Sequence, residues 1–182
     1  MHFLNDYEQI QPISNKSSFT VKELLGLAIS LNEKAQTFKL TGGVHEAALA
    51  HGDHFIAFYE DIGRHNALDR ILGYSFLNKI DTSDKVIALS GRIASEMLTK
   101  AARIGVSVVV SRSAPTCLSI DLAEQLGITL VGFARGNNLN IYTHPERILE
   151  HAPASALNMV TPQSEQNIFY DYSRILLNTQ AD

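Results

Sequence analysis

The segment Glu60-Asp61-Ile62-Gly63-Arg64-His65-Asn66-Ala67-Leu68-Asp69 gathers acids, a glycine, an arginine, a histidine and an asparagine into a few positions. A loop that only has to turn is served by Gly, Asn or Asp, without Arg and His beside them. The segment follows an apolar, strand-like run and precedes a helical one, so its polar groups stand where a strand hands over to a helix N-terminus. Free N–H groups and the helix dipole favour an anion there. It therefore reads as the edge of a binding site for a phosphate-bearing or ring-bearing ligand.

The same chemistry recurs in Ser90-Gly91-Arg92, Ser111-Arg112-Ser113 and Ala134-Arg135-Gly136-Asn137-Asn138, each a short polar turn after an apolar run. Each sets an arginine among Ser, Gly or Asn. The planar fork of an arginine suits phosphate, and a glycine lets backbone N–H groups approach closely. One such arginine could simply solvate its loop. Recurrence at successive strand ends favours a phosphate-bearing ligand. In an open α/β sheet those ends share one edge, so Arg92, Arg112 and Arg135 are expected to converge with Arg64 on one rim.

Other reactive residues weigh less. His45 follows two glycines in a strand-like context, where a core role and a binding role are equally open. His65, between Arg64 and Asn66 at the expected helix start, reads as a binding residue. Thr143-His144-Pro145 reads as a structural helix entry with Pro145 in the first turn. Cys117, the single cysteine, lies one residue into a helix that begins after Pro115, where a thiol can become nucleophilic, but no base partner is evident and a small semi-buried filler is an equally open reading. One cysteine also excludes an internal disulfide and any zinc site that needs two thiolates.

The elements that must position these groups follow from periodicity. Thr20 and Glu23 form a capping box, and Leu24, Leu25, Leu27, Ala28, Leu31, Ala35 and Phe38 continue at helical spacing, a helix of about five turns. Thr41-Gly42-Gly43 breaks the pattern. Residues 44–50 and 54–59 read as strands of a hairpin around His51-Gly52-Asp53, and 66–77 as a helix. Strands at 86–89, 106–110 and 128–133 then alternate with helices at 93–104 and 116–126, stopped by Gly105 and Gly127. Residues 139–143 read as an edge strand, and a further helix is expected around Ile168 to Leu177. Apolar strands alternating with helices predict an α/β fold with helices on both faces of the sheet. Residues 1–19 read as an extended arm or linker, 20–150 as one domain and 151–182 as a C-terminal extension.

With 182 residues and 45% of them apolar, the chain is long enough to bury a full core. A net charge of −4 argues against a nucleic-acid partner, since no basic stripe is available to neutralise phosphates. The sequence has no apolar run of membrane-spanning length and no charged-then-apolar leader, so a soluble, cytoplasmic protein is expected.

Taken in order, Thr41-Gly42-Gly43-Val44-His45, the segment from Glu60 to Asp69, Ser90-Gly91-Arg92 with Ser95-Glu96-Met97, Ser111-Arg112-Ser113-Ala114-Pro115-Thr116, and Leu130-Val131-Gly132-Phe133 with Tyr142-Thr143-His144-Pro145-Glu146-Arg147 resemble the successive motifs of the FdhD/NarQ family. These are the formate dehydrogenase accessory sulfurtransferases. The resemblance runs from about residue 20 to residue 148. It implies a three-layer α/β/α domain with a mixed sheet, similar to the cytidine deaminases but without their zinc ligands. It also implies that a cysteine desulfurase supplies sulfur as a persulfide. The family hands that sulfur to the molybdenum cofactor, a bis-molybdopterin guanine dinucleotide, on its way to formate dehydrogenase.

The guanine nucleotide end of the cofactor is then expected in this part of the protein, with GDP as an analogue. The family's cofactor-binding segment matches Phe133, Ala134, Arg135, Gly136, Asn137 and Asn138. Thr41, Gly42, Gly43, His45, Asp61, Gly63, Arg64, His65, Asn66, Ser90, Gly91, Arg92, Ser111, Arg112 and Ser113 complete the expected site. A homodimer is expected. The family's Cys-x-x-Cys sulfur carrier lies upstream of this region, on a segment joined to a further N-terminal domain and expected to end about where Met1 begins, so no catalytic residue is expected within the chain. A fragment of a longer protein and a short relative that binds the nucleotide without carrying sulfur both fit. In the deaminase comparison, Arg64-His65-Asn66 and Ser90-Gly91-Arg92 stand where zinc ligands would be. Without two thiolates a zinc-activated hydroxide is not expected, nor is deamination.

Overall fold

The computed structural model describes residues 10–14, 17–149 and 168–171. Strand β1 (Phe19–Thr20) leads into helix α1 (Val21–Lys34) through the expected capping box. The Glu23 carboxylate accepts from Thr20 N at 2.7 Å and from Thr20 Oγ1 at 2.8 Å, while Glu23 N donates back to Thr20 Oγ1 at 3.1 Å. Leu24, Leu27 and Leu31 face inward and are fully buried, each contributing about 1.5–3 kcal/mol by leaving water.

The single helix expected through Phe38 is instead two. The chain turns at Ala35 (φ −70°, ψ 71°) and restarts as α2 (Gln36–Thr41). The cause lies outside the segment: Glu60, on a neighbouring strand, accepts from Thr37 N, Thr37 Oγ1 and Phe38 N at 3.2, 2.8 and 3.0 Å. Those bonds satisfy the first turn of a new helix, whose own N-cap, Ala35, offers no side-chain acceptor. Gly42, at φ 64°, ends α2 in the left-handed region that suits glycine.

The hairpin forms as expected from β2 (His45–His51) and β3 (His54–Asp61). Next come α3 (Arg64–Leu77), β4 (Val86–Leu89), α4 (Ser95–Ile104), β5 (Val108–Ser111), α5 (Cys117–Leu126), β6 (Thr129–Arg135) and β7 (Asn138–Ile141). A 3-10 turn at Pro145–Arg147 has Pro145 in its first turn, and β8 (Ile148–Leu149) then pairs in parallel with β1. The last described strand is β9 (Ile168–Asp171). The main sheet runs in the order β3-β2-β4-β5-β6-β7-β9. Strands β4, β5 and β6 are parallel and the remaining pairs antiparallel, so the sheet is mixed.

Alternation along the strands builds a core on each face. Ala48, Ala88 and Val110 pack with Leu24, Leu27 and Leu31 of α1. Leu49, Ile87, Val109 and Leu130 pack with Leu68 and Ile71 of α3, Leu98 of α4 and Leu126 of α5. This is the expected three-layer α/β/α arrangement.

Two expectations about the C-terminal third are corrected. Residues 139–143 are not an edge strand: β7 is shorter and β9 pairs with it on its outer side, with Leu139 opposite Tyr170. The helix expected around Ile168 to Leu177 is, over Ile168–Asp171, that strand. Ile, Phe and Tyr suit a pleated ladder once a partner strand is present, and the remainder of the expected helix lies outside the described residues. Helix α4 starts at Ser95 rather than Ile93, because Ile93 N donates to Ala114 O and Ile93 O accepts from Thr116 N, at 3.1 and 3.0 Å. Residues 10–14, from the segment expected as an arm, lie against the core. Ile10 and Ile13 pack on the core, and Ile13 N donates to Leu126 O at 2.9 Å.

Candidate functional site

The parallel strands β4, β5 and β6 end along one edge, and the turns that follow β4 and β5 are tied together by serines. Ser111 Oγ donates to Gly91 O at 2.7 Å and accepts from Ser113 N at 3.0 Å, while Ser113 Oγ donates to Ser90 O at 2.9 Å. Ser90 Oγ accepts from Glu46 N at 2.9 Å, carrying the lock across to β2. Side-chain bonds to the backbone are what a short turn needs to hold one conformation.

Above this edge lies a cleft of about 440 Å³, lined by Asn32, Phe38, Val44, His45, Glu46, Arg64, Ser90, Gly91, Arg92, Arg112, Ser113 and Arg135. The four arginines expected on one rim are all there. Arg64 is the first residue of α3, and the others project from the turns after β4 and β5 and from the end of β6. Arg112 Nη1 donates to Asn32 Oδ1 of α1, and Arg135 Nε donates to Arg112 O at 2.6 Å. Among the described residues none of the four makes an ion pair. Cationic forks without carboxylate partners, gathered at one opening, attract an anion.

Gly91 allows the close approach. A Cβ there would lie 3.2 Å from His45 Nδ1 and 3.6 Å from Arg64 Cδ. Both side chains therefore rest on the Gly91 backbone, and His45 joins the rim.

Other expected site residues serve the frame. Asp61 accepts from Gly63 N at 3.0 Å and from Asn66 Nδ2 at 3.1 Å, bonds that hold its carboxyl below the usual carboxylate range. That turn sets the start of α3 and hence Arg64. Thr41 Oγ1 donates to Thr37 O and accepts from Gly43 N at 2.8 and 3.2 Å, so Thr41, Gly42 and Gly43 close α2 ahead of the cleft. Ser111 is buried beneath its own turn. His65 does not line the cleft; burial, then Arg64 and Lys100, hold its pKa below the ordinary value.

Of the segment Phe133-Ala134-Arg135-Gly136-Asn137-Asn138, Arg135 lines the cleft. Phe133 has φ 52° where the β6–β7 register shifts, Ala134 is buried, and Gly136 (φ 56°) turns the chain to Asn138, opposite Arg135. Four lining residues were not anticipated: Asn32, Phe38, Val44 and Glu46. An acid inside the apolar run of β2 was the one visible signal, and it pointed to Glu46. Among the described residues no three His, Cys, Asp or Glu side chains gather as a metal site would require, and no helix is long and apolar enough to cross a membrane.

Fold and site define a three-layer α/β domain with an arginine-lined cleft at the carboxyl ends of its parallel strands. Residues 1–149 match the FdhD/NarQ family, and the chain belongs to it. The match extends beyond residues 20–148 to include the arm. The protein is 46% identical over 148 residues to the sulfur carrier protein FdhD of Geobacillus kaustophilus, covering 81% of this chain and 56% of that one. It is 47% identical over 149 residues to the protein of the same name from Bacillus pumilus, covering 82% and 57%. It therefore spans a little over half the length of these curated relatives. A crystal structure described as a formate dehydrogenase accessory protein, from Desulfotalea psychrophila, superposes with a TM-score of 0.73 at 30% identity, over 80% of this chain and 62% of that one.

Proposed function

We propose that this chain is the nucleotide-binding body of an accessory protein for formate dehydrogenase maturation, and that its cleft holds the guanine nucleotide end of the bis-molybdopterin guanine dinucleotide cofactor. The convergence of Arg64, Arg92, Arg112 and Arg135 on one cleft carries the reading. The names of the relatives, sulfur carrier protein and formate dehydrogenase accessory protein, support it.

The residues fit such a ligand. Among the described residues Arg64 Nε is buried without a hydrogen-bond partner, and a phosphate oxygen suits such a donor. Arg112 and Arg135, tethered through Asn32 and through the Arg112 carbonyl, keep their remaining guanidinium donors for the diphosphate. His45 and Gly91 bring ring and backbone against the same group. The cofactor is cargo: it supplies the molybdenum centre that receives sulfur, while this chain binds and orients its nucleotide end. In the full-length family the sulfur comes from a cysteine desulfurase. On this reading the protein works in the cytoplasm, as a homodimer, with the desulfurase and formate dehydrogenase as partners.

Isothermal titration with GDP tests the proposal. Saturable binding is expected, and folded protein that takes up no GDP at millimolar concentration overturns it.

A second reading, a cofactor-binding module or chaperone that transfers no sulfur itself, is favoured by Cys117. It is exposed at the start of α5 and does not line the cleft. Mass spectrometry after incubation with a cysteine desulfurase and cysteine decides between them for this chain. A persulfide on Cys117 removes the second reading.

A further inference from the structure

Two buried side-chain atoms among the described residues lack a hydrogen-bond partner, Arg64 Nε and Glu46 Oε1. Both residues line the cleft. The anion proposed above accounts for Arg64. It does not account for Glu46, whose carboxylate repels the phosphates that the arginines attract.

Glu46 is only 4% exposed, and a buried charge is retained only where something pairs with it. It stands directly opposite Glu60 in the β2–β3 register, yet the two carboxylates differ. Glu60 accepts three hydrogen bonds from Thr37 and Phe38. Glu46 makes no ion pair among the described residues, although four arginines line the same cleft. Strand alternation puts Glu46 on the face of Ala48 and Ala50, the face that α1 covers. Asn32 of α1 and the exposed ring of Phe38 line the cleft with it. A flat aromatic surface, an amide and an unpartnered carboxylate are the groups that recognise a heterocyclic base.

We propose that Glu46 reads the ring of the bound ligand, accepting from the ring N–H and the exocyclic amino group of a 2-amino-4-oxopyrimidine edge. Guanine and pterin share that edge. A carboxylate offers two oxygens side by side and accepts both donors, whereas adenine turns a ring-nitrogen lone pair towards it. The inference rests on the nucleotide reading of the cleft and makes Glu46 its specificity-determining residue.

The test is titration of the full chain with GDP and IDP, which lacks the 2-amino group, and with pterin and lumazine, which carries oxygen in its place. GDP is expected to bind roughly 10- to 100-fold more tightly than IDP, the range for a charge-assisted hydrogen bond. Glu46→Gln is expected to lose most of that preference. A preference confined to pterin over lumazine, again lost in E46Q, keeps the role of Glu46 and assigns the edge to the pterin ring. Equal affinities within both pairs, or a preference that survives in E46Q, overturn the assignment and leave the nucleotide reading standing. Failure of every ligand to bind brings down the nucleotide reading and this assignment with it. The comparisons on the unaltered protein need no variant to fold.

Discussion

Arg135 donates its Nε–H to the main-chain carbonyl of Arg112 at 2.6 Å. The ends of two neighbouring parallel strands are thereby joined by one of the side chains they present. Two cationic forks are held in fixed relation, and the entropy of placing them is met before any ligand arrives. Arg135→Ala is expected to weaken GDP binding by about 1–3 kcal/mol, the range for a lost charged hydrogen bond. Titration calorimetry checks it, and unchanged affinity would put the ligand elsewhere.

Glu60 reaches the cleft without lining it. Its carboxylate caps α2 from β3, and α2 carries Phe38. Burial raises its pKa, but the bonds from Thr37 and Phe38 outweigh that and hold it below the ordinary carboxylate value. Glu60→Ala is expected to cost about 0.5–2 kcal/mol, as for a lost helix cap. Faster hydrogen exchange at Thr37 and Phe38 should accompany it, with weaker GDP binding.

Gly132 lies where β6 passes beneath the Ser111–Ser113 turn. An added Cβ would sit 2.9 Å from Pro115 Cδ, 3.0 Å from Tyr142 Cε2 and 3.1 Å from the Ser113 carbonyl oxygen. Gly132→Ala is expected to destabilise the protein by about 1–3 kcal/mol through overpacking. Urea unfolding reads this as a lower midpoint with an unchanged slope.

His65 makes stability depend on pH. Burial, then Arg64 and Lys100, depress its pKa from the ordinary value of 6.5. The unfolded chain therefore takes up this proton more readily than the folded one, and stability rises with pH across that interval. The contribution of His65 is complete above 6.5 and is lost as pH falls from there through the depressed folded value. Urea midpoints at pH steps below neutrality are expected to fall less steeply in His65→Asn than in the unaltered protein. Identical slopes would contradict the assignment.

Much of the frame was legible because its signals are local. The Thr20–Glu23 box, the glycine stops at Gly105 and Gly127 and the apolar runs of β4, β5 and β6 each act within a few residues. The rim of Arg64, Arg92, Arg112 and Arg135 was legible for a related reason: parallel strands joined by helices bring their carboxyl ends to one edge. Phe38 continues the helical spacing of α1 in the sequence yet belongs to α2, because its capping acceptor, Glu60, is 22 residues away. His65 sits at the right helix end, but in this fold it does not line the cleft.

The sequence by itself determined the periodicities, the capping box at Thr20, the glycine stops at Gly105 and Gly127, and the placing of an arginine at the end of each parallel strand. Backbone hydrogen bonding and side-chain spacing act over one or two turns, and a chain carries them before it folds. Tertiary structure alone decided the strand order β3-β2-β4-β5-β6-β7-β9, the pairing of β9 and the break at Ala35. It also decided which polar atoms were left without partners. Glu46 and Glu60 are both acids in apolar strands, and their difference arises only where α2 docks, because burial and hydrogen-bond satisfaction are properties of the packed molecule.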